Sequence, residues 1–295
     1  MNMPLTSPPL TSAPDVEPSR WHARLSLGLK RTARGTRVAS AERFGPLHLQ
    51  KPFYPEGPDL AHLYLLHPPG GMVSGDLLEI EARLDADTAA LITTPGAGRV
   101  YRARPDRTLQ HQRVTLEVGA GSSLEWLPLE TILYPNARTR LEVEVALTGD
   151  ARFIGWEVTS LGLPACGEDF AAGELHQRLQ IRRDGRLLLR EQLLLDEHSH
   201  AVLTGKAGLQ GQPVTGLMVA GPFTPEQVEP LLEPLRACCE QDELLAGVSL
   251  SGEFLLIRTL GRCSEQARRC LEQCWGLIRP TLIGREACAP RIWAT

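Results

Sequence analysis

The side chains able to do chemistry fall into three sets. The first is carboxylates set in or beside apolar stretches. Glu125 and Glu130 bracket a run of Leu, Trp, Pro and Ile at 124–131, Glu157 follows Gly155-Trp156, and Asp76 follows Gly75. A carboxylate in an apolar strand must pair, hydrate or shift its pKa, which makes each a candidate for handling protons or cations. The plain alternative is a structural hydrogen bond to a nearby turn. The second set is His198 and His200, beside Asp196 and Glu197. On a strand the two imidazoles would share a face, but two ligands fall short of the three or four that a transition-metal site needs. A polar strand end is the expectation. The third is Cys270 and Cys274, which could join Cys263 or Cys288 around zinc. Both lie on an apolar helical stripe and no Cys-x-x-Cys pair is present, so core packing is expected.

One stretch organises the elements around these groups: His62-Leu-Tyr-Leu-Leu-His67-Pro-Pro-Gly-Gly71-Met-Val-Ser-Gly75-Asp76. The apolar run 63–66 reads as a buried strand. Pro68 and Pro69 remove two donors and end it, and Asp76 then follows a glycine turn. The same plan recurs at Leu91-Ile-Thr-Thr94-Pro-Gly-Ala-Gly98-Arg99-Val-Tyr101. Neither loop ends in the Gly-Lys-Ser/Thr of a phosphate loop or fits Gly-x-Gly-x-x-Gly. Ser74 has His67 seven residues back, but no nucleophile elbow surrounds it. A metal-binding or hydrolytic enzyme using the His67/Asp76 loop is the alternative reading.

A chain of 295 residues can bury a full core without metal or disulfide. Its net charge of −4 argues against nucleic acid as a partner. Arg20, Arg24, Lys30, Arg31, Arg34 and Arg37 read as a solvated or interface face. The seven cysteines are odd in number and crowd toward the C-terminal end, which points to reduced, intracellular thiols. The N-terminal residues do not read as a signal peptide, and no run of 18 apolar residues predicts a membrane span.

Residues 1–19 hold five prolines and read as a disordered arm. From residue 20 to about 221 the signal is β. Leu141, Val143, Val145 and Leu147 alternate with polar or small residues, 115–118, 124–127 and 153–158 are further short strands, and Asp184-Gly185 marks a hairpin. Glycine turns at 119–121, 148–150 and 205–208 punctuate them. No fixed-period repeat is visible. The C-terminal quarter is expected to hold helices at about 225–242 and 264–279, with strands between them at 244–261. Thr224, Pro225 and Gln227 supply a capping box, but Pro230 and Pro234 predict a kinked or late-starting first helix. Pro280 is expected to end the second. Ile292 and Trp293 predict a docked terminus.

Together these stretches resemble a known family. His67-Pro-Pro-Gly-Gly71, Gly75-Asp76, Thr93-Thr94-Pro-Gly-Ala97, Tyr101-Arg102, Leu127-Pro-Leu-Glu130-Thr-Ile, Arg152-Phe-Ile-Gly155-Trp-Glu157, Gly208-Leu209, Arg279-Pro280 and Pro290-Arg-Ile-Trp-Ala-Thr295 occur in order. The set is similar to the urease accessory proteins of the UreD (UreH) type, over residues 21–295. The resemblance implies a mainly β protein, elongated and helically wound from stacked strands, with a small α-helical part. It also implies a non-catalytic, cytoplasmic scaffold for nickel delivery to apo-urease. Such a scaffold binds UreF-type and UreG-type proteins in a hetero-oligomeric complex, away from membranes. Nickel is then cargo passing an internal hydrated route, not a tightly bound cofactor. On this reading His67, Asp76, Thr93, Thr94, Tyr101, Glu130 and Glu157 line or support that route, and His198 and His200 are weak metal candidates.

Overall fold

The computed structural model describes residues 20–170, 172–240 and 244–294. The proline-rich arm lies outside the described residues, as do the last two positions of the first predicted helix. β1 (His22–Thr32) and β2 (Gly35–Phe44) form an antiparallel hairpin. The chain then shuttles between two sheets. β3 (His48–Leu49) and β4 (Leu60–Leu66) lie in one sheet, and β5 (Leu77–Leu84) lies beside β1 in the other. β6 (Ala89–Thr93) and β7 (Gly98–Val100) return to the first, and β8 (Gln110–Val118) crosses again. β9 (Ser123–Trp126) and β10 (Thr131–Leu133) return, β11 (Arg138–Leu147) crosses, β12 (Arg152–Leu161) returns, and β13 (Glu174–Arg183) crosses a last time. Each strand runs parallel to its neighbour from the preceding coil, as in β5–β8–β11–β13 and β4–β6–β9–β12.

The winding ends at Asp184-Gly185, whose φ values of 47° and 80° suit a tight hairpin turn into β14 (Arg186–Leu195). After a short α1 (His200–Thr204), three antiparallel elements widen the first sheet beside β12: β15 (Val214–Gly221), then β16 (Leu245–Ser251) and β17 (Phe254–Gly261). Between β15 and β16 runs α2 (Pro225–Cys239), and α3 (Ser264–Ile283) follows β17. Among the described residues the architecture is a seven-stranded sheet stacked on a ten-stranded sheet. One apolar cluster fills the space between the sheets. A second joins the outer face of the larger sheet to α2 and α3.

The coil repeats in space without repeating in sequence because its corners, not its strand residues, recur. At one end the turns stack: Gly119 N–H donates to Leu84 O, Thr148 N–H to Val118 O and Asp184 N–H to Leu147 O, at 2.9–3.0 Å. Side chains extend the stack, with Asp150 Oδ1 accepting from Gly121 N–H at 2.7 Å and Asp184 Oδ1 from Gly149 N–H at 3.2 Å. The opposite corners are wide and carry the proline-glycine stretches. There Met72 N–H donates to Arg99 O, Gly98 N–H to Glu130 O and Gly162 N–H to Leu133 O, at 2.8–2.9 Å. Coil length varies with these loops, so no fixed period survives.

Two proline expectations are corrected. α2 is one helix from Pro225, with the expected capping box at Thr224 and Gln227. Pro230 and Pro234 are exposed, four residues apart on its wet side, where the carbonyls they leave unbonded can be hydrated. α3 continues through Pro280 to Ile283 and stops at Gly284 (φ 75°), whose N–H donates to Pro280 O at 3.0 Å. The docked C-terminus is present. The Trp293 ring packs 5.3 Å from that of Trp156 and 5.7 Å from that of Trp275.

The helices are pinned to the sheet by charge. Arg279 on α3 is fully buried, and so is Glu125 on β9. Arg279 Nε donates to Glu125 Oε2 at 3.0 Å, Nη2 donates to Glu56 Oε1 at 2.7 Å and Nη1 to Glu56 Oε2 at 2.8 Å. The Trp275 indole N–H adds a bond to Glu125 Oε2 at 2.6 Å, and His62 Nε2 lies 2.8 Å from Glu56 Oε1. Burial opposes ionisation of Glu56, yet His62 and Arg279 together hold its carboxyl below the ordinary range. Removing one member strands the others in apolar surroundings, a loss of about 3–5 kcal/mol. Arg279→Met should lower the unfolding free energy by about that amount in urea titrations; a loss under about 1 kcal/mol would show that the pin carries little stability.

Candidate functional site

Residues facing the space between the sheets alternate with residues facing α2 and α3. On β12, Phe153 and Leu161 join the inter-sheet core while Ile154, Trp156 and Val158 join the helix-side core. Glu157 and Thr159 share the parity of Phe153, so they point between the sheets. Three cavities lie there in series. The first, of about 350 Å³, is bounded by His67, Gly71, Thr94, Arg99, Gln112 and Thr131. The middle one, of about 80 Å³, shares Thr94, Gln112 and Thr131 with it and adds Glu157, Thr159 and Gln177. The third, of about 360 Å³, shares those last three and ends at Glu191 and Arg258. Arg258 Nη2 donates to Glu191 Oε2 at 2.8 Å across the two sheets. Even the middle cavity exceeds the roughly 10–15 Å³ that one water requires.

Polar side chains stand at intervals along this lane, between apolar lining residues such as Leu47, Leu65, Val143 and Leu179. Thr159 Oγ1 donates to Gln177 Oε1 at 3.2 Å, and Glu157 shares a further hydrogen bond with Gln177. Burial pushes the Glu157 carboxyl up to about 7, with the Gln177 bond pulling weakly the other way. A group at that value gains and loses a proton near neutrality and can act as a transient cation ligand. At the near end, burial lowers the His67 imidazole against the pull of Asp76. The donors along the lane are carboxylate, imidazole, hydroxyl and amide groups, spaced along a path and not gathered in a cage.

Of the residues singled out from the sequence, His67, Thr94 and Glu157 meet in this lane. The others are placed elsewhere. Asp76 is buried at the wide corner, where its Oδ2 accepts the Val73 N–H at 2.8 Å. Burial raises its carboxyl against that bond and the nearby His67 and Arg104. Thr93 faces the helices. It donates to Leu127 O at 2.6 Å and accepts from Trp293 Nε1 at 2.9 Å. The Tyr101 ring stacks edge-on to Tyr134 at 5.0 Å and crowds Gly71, where an added Cβ would meet Tyr101 Cε2 at 2.5 Å. Glu130 stands at the N-terminus of α3, its Oε1 3.5 Å from Ser264 Oγ, a favourable place for a negative charge.

The Ser74 hydroxyl accepts the Arg104 N–H at 2.8 Å, so a backbone amide engages it. His198 and His200 are not on a strand, because β14 stops at Leu195. His198 is an exposed turn residue 3.5 Å from Glu197. His200 opens α1, and its side chain lies outside the described residues. Cys270 and Cys274 are buried in the core as expected. Their sulfur neighbour is Cys239 on α2, not Cys263 or Cys288. Sequence reasoning missed Gln112, Thr131, Thr159, Gln177, Glu191 and Arg258. A polar residue at an inward position of an alternating strand was the available signal. Gln177, between the inward Leu175 and Leu179 of β13, is one case.

Comparison with known proteins places this architecture. The family model described as UreD urease accessory protein matches residues 22–294. The chain belongs to the UreD family. A urease accessory protein UreD from Marinomonas sp. (strain MWYL1) is 54% identical over 288 residues, covering 96% of this chain and 92% of the relative. The Janthinobacterium sp. (strain Marseille) protein of the same name is 44% identical, covering 92% and 91%. That from Alcanivorax borkumensis is 40% identical, covering 93% and 92%. UreD proteins are named as accessory proteins of urease and not as catalysts. No helix among the described residues is long and apolar enough to cross a membrane.

The Glu157 shift has a measurable consequence. Its folded value of about 7 lies above the ordinary 4.5, so the folded chain holds the proton more tightly than the unfolded chain. Stability therefore falls as pH rises through roughly 4.5 to 7, and the full cost is present above that window. Compared with Glu157→Gln, which cannot titrate, the parent chain should lose about 2–3 kcal/mol between pH 5 and pH 8 in urea unfolding. Parallel stability curves for the two proteins would contradict the assignment.

Proposed function

We propose that this UreD-family protein is a non-catalytic scaffold that passes nickel toward apo-urease along the lane between its sheets. The reading rests on one observation above all. Three cavities share their lining residues in succession, from the His67 corner to the Glu191–Arg258 pair. Nickel(II) accepts oxygen and nitrogen donors, and transit requires sites strong enough to enter yet weak enough to leave. Single carboxylates separated by hydroxyl and amide groups meet that requirement better than a closed multidentate site would. His67, Thr94 and Glu157 line the route. Asp76, Tyr101, Thr93 and Glu130 hold the corners and the helix layer that give it walls.

The same proposal assigns the partners. The chain bridges apo-urease subunits and UreF-type and UreG-type proteins, in the cytoplasm and as part of a hetero-oligomeric complex. None of the seven cysteines, all among the described residues, forms a disulfide, which suits a reducing compartment. The C-terminal helices and the Trp293 end are assigned to the UreF-type side. In support, Leu277 on α3 exposes apolar surface on the helix layer, as a partner contact can use. His198 and His200 stand as weak metal candidates.

Glu157→Ala should lower nickel-dependent activation of apo-urease by about an order of magnitude, the size typical of losing a group that supports a metal. Co-purification with the partners should be unchanged. Activation at the parent rate by an assembled Glu157→Ala complex would remove Glu157 from the route.

A further inference from the structure

Away from the lane, the second core contains a cluster that the urease reading does not use. Cys239 is the last residue of α2, and Cys270 and Cys274 lie one turn apart on α3. Their three sulfurs all lie within 4.8 Å of one another, and the residues are 7%, 0% and 0% exposed. Cys270 Sγ is 3.8 Å from Cys238 O. The Cys238 side chain, half-buried at the helix crossing, is hydrogen-bonded to Cys274. Four thiols thus converge where two helices meet.

Apolar packing accounts for one buried thiol at a time, because a free cysteine behaves as a small hydrophobe. It does not call for three from two different helices, close enough to bond one another. The thiolate is the form that binds metal. Zn–S bonds of about 2.3 Å set ligand sulfurs about 3.8 Å apart in a tetrahedral site. The observed trio needs to tighten by no more than about 1 Å to reach that geometry. Oxygen and nitrogen donors are not part of the set, which favours a thiophilic closed-shell ion over hard cations.

We propose that Cys239, Cys270 and Cys274 form a thiolate site for zinc(II), with Cys238 as the fourth ligand, which staples α2 to α3. Binding forms one Zn–S bond per thiol and releases one proton from each, with no change in oxidation state. The ion therefore carries no nickel cargo. It fixes the helix layer that covers the outer face of the larger sheet.

The test uses the full-length chain, reduced, stripped of metal and handled without oxygen. Cobalt(II) serves as the spectroscopic probe and zinc(II) as the competitor. The expected result is saturation at one cobalt per chain, with an intense sulfur-to-cobalt charge-transfer band and visible bands of tetrahedral strength. Zinc should abolish both stoichiometrically, with three to four protons released. Cys239→Ala and Cys274→Ala should each weaken cobalt binding at least 100-fold, whereas Cys166→Ala, remote from the cluster, should bind as the parent does. Zinc should also raise the melting temperature of the parent and of Cys166→Ala but not of Cys239→Ala, a readout that survives if Cys274→Ala fails to fold. Absence of a one-to-one thiolate band, or an equal band in a Cys239/Cys270/Cys274 triple-alanine variant, would overturn the site.

Discussion

Arg279 is the interaction on which the layered arrangement depends. A guanidinium with no exposed surface reaches Glu125 on a central strand and Glu56 in the segment before β4. Burying one arginine with two carboxylates and a histidine has a desolvation cost that only near-complete hydrogen bonding offsets. The geometry supplies that bonding, and it does so between parts of the chain 154 and 223 residues apart. Fixing α3 covers one face of the ten-stranded sheet. That sheet then has two buried faces, one against the helices and one against the seven-stranded sheet, and its inner polar residues cannot turn outward to water.

The lane follows from this constraint together with the winding. A chain that alternates between two sheets brings equivalent positions of successive coils side by side. Polar residues recur at inward positions: Gln112 on β8 and Gln177 on β13 lie either side of Leu141 on β11, and Glu157 and Thr159 on β12 belong to the facing sheet. Apolar neighbours such as Val143 and Leu179, matched in parallel register, line the lane between the polar positions. The wide corners enter the lane at one end because proline and glycine stop the ladders there. The tight stacked turns close the coil at the other. Dry walls, polar posts and gaps larger than water are what ion passage without capture demands.

How much of this was legible in the sequence follows from which contacts are local. The Asp184-Gly185 hairpin, the alternation on β11, the capping box at Thr224 and the proline-glycine corners are set by residues adjacent in the chain, and each is where local chemistry puts it. The two-sheet winding was expected from the family resemblance. The corners alone hid it, because coils of unequal length leave no period. Lateral neighbours were not legible. Nothing in the sequence says that Gln177 lies beside Glu157, or that Cys239 meets Cys274, because register across coils is fixed by the assembled core. The prolines of α2 misled for a related reason. Their cost depends on whether the freed carbonyls face water, and only the packed helix shows that Pro230 and Pro234 do.

The central claim is that the space between the sheets is a path, and the narrow middle cavity is where it can be closed. Thr159 borders that cavity and is almost fully buried. Thr159→Phe fills it with an added ring at an overpacking cost of about 1–3 kcal/mol. The decisive measurement is nickel-dependent activation of apo-urease by a complex assembled with this variant, its assembly checked by co-purification. The account predicts an intact complex whose activation falls to the level seen without the scaffold. Activation at the parent rate, with the plug in place and the complex assembled, would contradict it.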